Sequence, residues 1–178
     1  MSDEKILSEL RATVKSYPDF PKKGIIFRDF FPILQNPQLF DGMICLFQKW
    51  LSDNSKNVDC IVGLDSRGFL LGPSLSLKLD VPFVPVRKAG KLPGNCKKQT
   101  YGLEYGSDAV EIQIDSIKEG QKVIIIDDLL ATGGTMEAAV KLVKSVGGIV
   151  EHCLVVIELE DLKGKMKVPA PVYSLFQF

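Results

Sequence analysis

The sequence is poor in the side chains that several familiar chemistries need. It has one histidine, His152, inside the strand-like run 149–159, where a packed or hydrogen-bonded role is far commoner than catalysis. Ser-His-Asp and Cys-His mechanisms are therefore not expected. Its four cysteines form no Cys-x-x-Cys pair. Cys45, Cys60 and Cys153 fall in apolar helix or strand patterns and read as reduced core thiols, and Cys96 falls in a polar loop, so neither a disulfide nor a zinc site is expected. Charge of one sign is also lacking: 22 basic and 22 acidic residues cancel. That removes any bulk attraction for nucleic acid or anionic lipid, so a cationic site has to be local. No apolar run approaches the ~20 residues of a membrane span, and the polar start Met-Ser-Asp-Glu-Lys lacks the layout of a secretion signal. A cytoplasmic protein with no membrane partner is expected.

What the chain does have is core-forming material: 178 residues, 46% of them hydrophobic, with no internal repeat, linker or low-complexity segment. One domain over 1–178 is the natural reading. Ile6, Leu7, Leu10 and Val14 make an amphipathic helix, and Leu39, Phe40, Met43, Ile44, Phe47, Trp50 and Leu51 make a second, opened by Asn36-Pro37. Strands are predicted at 58–64, 81–86, 123–126 and 149–159, with helices near 68–79 and 134–146, the latter stopped by Gly147-Gly148. This rhythm implies an α/β fold around a mostly parallel sheet.

The stretch Val123-Ile-Ile-Ile-Asp-Asp-Leu-Leu-Ala-Thr-Gly-Gly-Thr135 carries the most information. Its aliphatic run fits a strand covered on both faces, and the acids fall where such a strand ends, at the edge where α/β proteins bind ligands. Small residues Ala131, Thr132, Gly133, Gly134 and Thr135 then open a helical pattern, where free backbone N–H groups and the helix dipole favour an anion. A terminal phosphate on that turn, with sugar hydroxyls on Asp127 and Asp128, describes a phosphorylated sugar. The pattern is neither a Walker P-loop nor Gly-x-Gly-x-x-Gly.

Cations converge on the same edge. The turn Gly63-Leu-Asp-Ser-Arg-Gly-Phe69 brings Asp65, Ser66 and Arg67 to the start of a helix. Arg87 and Lys88 follow a buried strand, and Lys91 lies in the polar, glycine-containing arm 87–101. Together they read as a pyrophosphate site. The alternation of Val110, Ile112 and Ile114 after Gly106-Ser-Asp108 predicts a β-hairpin, whose leading arm reads as a mobile loop able to close over the site.

These motifs, with Tyr17-Pro-Asp-Phe-Pro21, Gly24-Ile-Ile-Phe-Arg-Asp29, Arg87-Lys-Ala-Gly-Lys-Leu-Pro-Gly94 and Leu103-Glu-Tyr-Gly106, resemble the adenine-using branch of the type I phosphoribosyltransferases across almost the whole chain. The resemblance implies that fold, with a small N-terminal hood within 1–36. It implies transfer from phosphoribosyl pyrophosphate to adenine, magnesium carried by the pyrophosphate with no direct protein metal ligand, and a homodimer. It places the 5′-phosphate on residues 131–135, the ribose hydroxyls on Asp127 and Asp128, and the pyrophosphate on Arg67, Arg87, Lys88 and Lys91, with Asp65-Ser66 often a cis peptide. It assigns base recognition to the main chain of Ile26 and the ring of Phe27, with Arg28 either orienting the base edge or pairing with Asp29. Glu104 is the implied acid–base group and Tyr105 a closing residue, with Arg67 counted beside them as catalytic. On this reading Glu104→Ala lowers turnover far more than Glu111→Ala. Hypoxanthine-guanine enzymes generally have aspartate where this chain has Ala131, which points to adenine. A transcriptional regulator of the same fold is the other class, and neutral charge and the want of a spare helix-turn-helix weigh against it.

Overall fold

The computed structural model describes residues 2–102 and 107–178. Glu104 and Tyr105 lie outside them. The chain divides into two compact units, Met1–Trp50 and Leu51–Phe178.

In the first unit, α1 (Asp3–Thr13) is capped by Ser2, whose hydroxyl accepts from the Lys5 N–H at 3.4 Å. β1 (Lys15–Pro18) pairs antiparallel with β2 (Ile26–Asp29), in register from Lys15↔Asp29 to Pro18↔Ile26. A short helix α2 (Phe31–Leu34) leads to α3 (Pro37–Asn54). The Asn36 side chain starts α3, accepting the N–H groups of Gln38 and Leu39, each at 3.1 Å. Gly42 lets α3 approach α1, since a Cβ there would stand 3.2 Å from Ile6 Cγ2. Phe30, Ile33, Met43, Ile44 and Phe47 are buried, as the helical spacing requires, whereas Cys45 is only half-buried.

The second unit holds a seven-stranded sheet. Its strands are β3 (Cys60–Leu64), β4 (Phe83–Lys88), β5 (Cys96–Gly102), β6 (Ser107–Gln113), β7 (Lys122–Leu130), β8 (Ile149–Glu158) and β9 (Val172–Gln177), in the order β5-β6-β4-β3-β7-β8-β9. Neighbours from β4 to β9 run parallel, and β6 runs antiparallel to both β4 and β5. The helices α4 (Gly68–Leu79) and α5 (Gly134–Ser145) fall where the sequence predicts them. Val123 to Ile126 are fully buried, and Val123 and Ile125 share a core cluster with Ala139, Val140 and Val143 of α5.

Three features depart from expectation. β7 continues to Leu130, so Asp127 and Asp128 lie within the strand, because its pairing with β8 runs on to Leu130↔Glu158 after the β3 ladder has ended at Gly63↔Ile126. The expected polar loop at Cys96 is strand β5, the leading arm of the hairpin, which pairs with β6 from Cys96↔Gln113 to Gly102↔Ser107. Ile114, grouped by alternation with the buried Val110 and Ile112, is 45% exposed, while Glu111 between those two is only 1% exposed.

Candidate active site at the carboxyl edge of the sheet

Where β3 turns away, β7 is left with one partner, and its two carboxylates border a cavity of about 210 Å³. The cavity is lined by Arg67, Asp127, Asp128 and residues 129–136. Asp128 is 3% exposed and pairs with Arg67 at 3.0 Å. Asp127 accepts the N–H of Asp128 at 2.9 Å. Burial, followed by the charge of Asp128, pushes the Asp127 carboxyl well above its usual range, and burial also raises Asp128 against the pull of Arg67. Two acids held this way accept hydroxyl donors or a cation readily, since either relieves an unfavourable charge.

The turn that follows is built from backbone. Gly133 has φ +83°, a left-handed conformation that favours glycine, and it begins α5 with no side-chain cap. The first N–H groups of a helix have no partner within it, so this uncapped start offers donors to an anion. The loop is also backed by backbone. A Cβ on Gly133 would stand 2.3 Å from the Gly164 carbonyl oxygen, and one on Gly164 would stand 2.1 Å from the carbonyl oxygen of Ala131. Nothing in the sequence marks Gly164, which sits between lysines like any solvated turn, yet it is buried.

Arg67 reaches Asp128 because its turn lies flat on β7. A Cβ at Gly68 would meet the Ile126 carbonyl oxygen at 2.5 Å, and one at Gly63 would meet the Gly68 carbonyl oxygen at 2.7 Å. Asp65-Ser66 in this turn is a cis peptide. Asp65, Ser66, Arg87, Lys88 and Lys91 are not among the cavity's described lining residues. Of these, Arg87 is tied to the turn that carries Arg67, since its Nε donates to Asp65 Oδ2 at 2.8 Å. Register puts Val86 level with Leu64, so Arg87 emerges one residue past the end of that pairing. Lys88 pairs with Asp108 at 3.4 Å, and its side chain is 65% exposed. Beside these lies Glu111, whose Oε1 accepts the N–H groups of Lys91 and Leu92, both at 2.8 Å. It is thus no neutral comparison for Glu104.

Within the first unit, Phe27 is half-buried and meets Phe20 edge-on at 5.2 Å. Ile26 is 51% exposed. Arg28 donates to the Ser16 hydroxyl at 2.5 Å across the β1–β2 ribbon, while Asp29 accepts the N–H of Phe31 at 3.0 Å.

Comparison with known proteins agrees with this geometry. The family model of the phosphoribosyl transferase domain matches residues 32–178. The adenine phosphoribosyltransferase of Eremothecium gossypii is 48% identical over 99% of this chain and 96% of its own length. A crystal structure of the Saccharomyces cerevisiae enzyme, complexed with adenine and D-2,5-dideoxy-2,5-imino-altritol 1,6-bisphosphate, matches at TM-score 0.95 and 49% identity, covering 97% of this chain and 99% of the other. The Trypanosoma brucei enzyme, in complex with AMP, pyrophosphate and ribose 5-phosphate, matches at TM-score 0.88 and 30% identity, covering 97% of this chain and 79% of that one. An acid pair, Asp128 buried and Asp127 half-buried, above an uncapped glycine turn, on a sheet shared at this level of identity, places the chain in the adenine phosphoribosyltransferase family of the phosphoribosyltransferases.

Proposed function

We propose that this chain transfers the phosphoribosyl group of phosphoribosyl pyrophosphate to adenine, giving AMP and pyrophosphate. The observation that carries the reading is the single cavity in which Arg67, Asp127, Asp128 and residues 131–135 meet. The 5′-phosphate takes the N–H groups of the Ala131–Thr135 turn, and the ribose hydroxyls donate to Asp127 and Asp128. Arg67, Arg87, Lys88 and Lys91 take the pyrophosphate, with Asp65 and Ser66 shaping the turn below it.

No protein nucleophile is needed. The bond from the anomeric carbon to the pyrophosphate oxygen breaks with its electron pair leaving on pyrophosphate. A base nitrogen supplies the pair for the new bond, and the proton the base loses passes to an acceptor, for which Glu104 is proposed. Tyr105 closes the site over the reacting centre. The nearby cations stabilise the charge gathering on pyrophosphate, and the negative field of Asp127 and Asp128 stabilises the positive charge growing on the sugar. Magnesium carried by pyrophosphate would neutralise its charge, and the oxygens of Asp127 and Asp128 are the protein groups fitted to face it.

The hood supplies the base site. The Ile26 main chain pairs with the amino edge of adenine, Phe27 stacks on the ring and Arg28 lies beside it. A 6-oxo purine inverts the donor pattern and leaves buried groups unpaired. Residues 1–178 work as one phosphoribosyltransferase domain in a cytoplasmic homodimer, a setting that suits four free cysteines. Among the described residues no helix is long and apolar enough to cross a membrane.

The test is AMP formation from adenine, phosphoribosyl pyrophosphate and magnesium beside parallel reactions with hypoxanthine, guanine, xanthine and orotate. Adenine-selective turnover supports the whole reading. Turnover of another base keeps the phosphate site and removes the hood assignment.

A further inference from the structure

The turn after β4 is cationic and outwardly exposed, yet its backbone is tied from below. Gly90 has φ +85°, which lets the chain fold back so that the N–H groups of successive residues point one way. Such a run of amides is an anion-binding nest. Here the anion is internal. Glu111 Oε1 receives Lys91 N and Leu92 N at 2.8 Å each, and Lys98 Nζ stands 3.8 Å from Oε2. Glu111 lies opposite Arg87 on one side and Lys98 on the other, so three charged residues form a row across β4, β6 and β5. Arg87 completes the fastening by donating to the Lys91 carbonyl at 3.3 Å. Lys91 is thus held at both its N–H and its C=O, while its side chain remains exposed. The amides of Gly90 foremost, with those of Leu92 and Lys91 and the charge of Lys98, hold the Glu111 carboxyl below its ordinary range despite its burial.

A carboxylate at 1% exposure is costly unless it serves its surroundings, and this one touches no part of the 210 Å³ cavity. We propose that Glu111 is a positioning residue for pyrophosphate: it fixes the main chain of the Gly90–Leu92 turn so that Lys91 and Arg87 present their charge in one arrangement. This rests on the assignment of Arg87, Lys88 and Lys91 to pyrophosphate. On this view Glu111 fills the backbone nest itself, which leaves the outer, side-chain face of the turn for the ligand.

The experiment compares two ligands of the whole protein: magnesium pyrophosphate, which uses the turn, and AMP, which has base, ribose and 5′-phosphate but no pyrophosphate. Glu111→Leu fills the buried space but accepts no hydrogen bond, and Glu111→Gln keeps one acceptor oxygen. In Glu111→Leu, pyrophosphate affinity is expected to fall about tenfold or more and the KM for phosphoribosyl pyrophosphate to rise with it, since a charged acceptor is lost from two main-chain donors. AMP affinity should stay within about twofold, and Glu111→Gln should recover most of the loss. Equal weakening of both ligands, or no change in pyrophosphate, overturns the proposal. If Glu111→Leu does not fold, Glu111→Gln decides alone, through a selective loss of about threefold for pyrophosphate against none. Arg87→Ala is measured alongside. If it too leaves pyrophosphate binding unchanged, the pyrophosphate assignment has failed and the proposal with it; if Arg87→Ala alone weakens pyrophosphate, only the role of Glu111 has failed.

Discussion

Two acidic regions of the same sheet are held in opposite electrostatic states. Asp127 and Asp128 are neighbours on β7, Arg67 pairs with Asp128, and burial drives both carboxyls up. Glu111 sits among main-chain donors, and these hold it down. The difference separates two jobs. On the proposed roles, a site that receives hydroxyls and a cation is left short of partners, and the unsatisfied charge is what a ligand relieves. A support that must not move is given all its partners in advance.

The strongest way to break this comparison is Asp127→Asn. If the acid pair is kept for binding at the expense of the fold, turnover should fall by at least about a hundredfold while the unliganded protein gains roughly 1 kcal/mol, about 2–4 °C in Tm. Loss of both activity and stability would mean that the pair is structural. Next in size is Gly164→Ala. The new Cβ would lie 2.1 Å from the Ala131 carbonyl oxygen, so the Ala131–Thr135 turn must shift. A loss of about 2–3 kcal/mol in melting experiments is expected, with a raised KM for phosphoribosyl pyrophosphate and little change in the KM for adenine.

The two regions should also separate by pH. Glu111, lowered from its ordinary 4.5, contributes stability above that value and loses it as pH falls through the lower folded-state value. Asp127, raised from 3.8, has the opposite sign: protonated in the fold, it favours folding below 3.8, and that contribution is lost as pH rises through its raised value. Tm measured from pH 3 upward should therefore fall less steeply on acidification in Glu111→Gln than in the parent, and Asp127→Asn should remove a decline on the alkaline side of 3.8. Identical curves for all three proteins would erase the contrast. The smallest effect marks the background: Lys5→Ala removes an exposed pair, 3.9 Å from Glu9, and should change stability by less than about 0.5 kcal/mol and turnover not at all.

The sequence makes legible those parts of the fold whose residues obey one environment. Val123 to Ile126 are buried on both faces and read at once as a central strand, and the 3.6-residue spacing of Met136, Ala139, Val140 and Val143 gives α5 almost to its ends. β1 is exposed at all four positions and has no alternation to read, so its pairing with β2 shows only in the structure. β9 is missed although Val172 and Phe176 alternate with more exposed neighbours, because its six residues follow a proline-containing turn rather than a helix. In the site, Arg67 and the Asp127–Thr135 run are legible because acids at a strand end, small residues opening a helix and a nearby cation suggest a ligand by residue type alone. Glu111 and Gly164 are not. One is a glutamate among apolar neighbours that alternation sends outward, and the other acts by the side chain it does not have.

Strand β5, hidden in the sequence by its lysines, ends the sheet, with β6 its only partner among the described strands. A terminal strand offers backbone groups on which another chain can polymerise, and charged side chains are a common defence. Lys97 and Lys98 are exposed along this margin. The polarity that makes residues 96–102 resemble a loop thus disfavours the addition of a further strand at this margin.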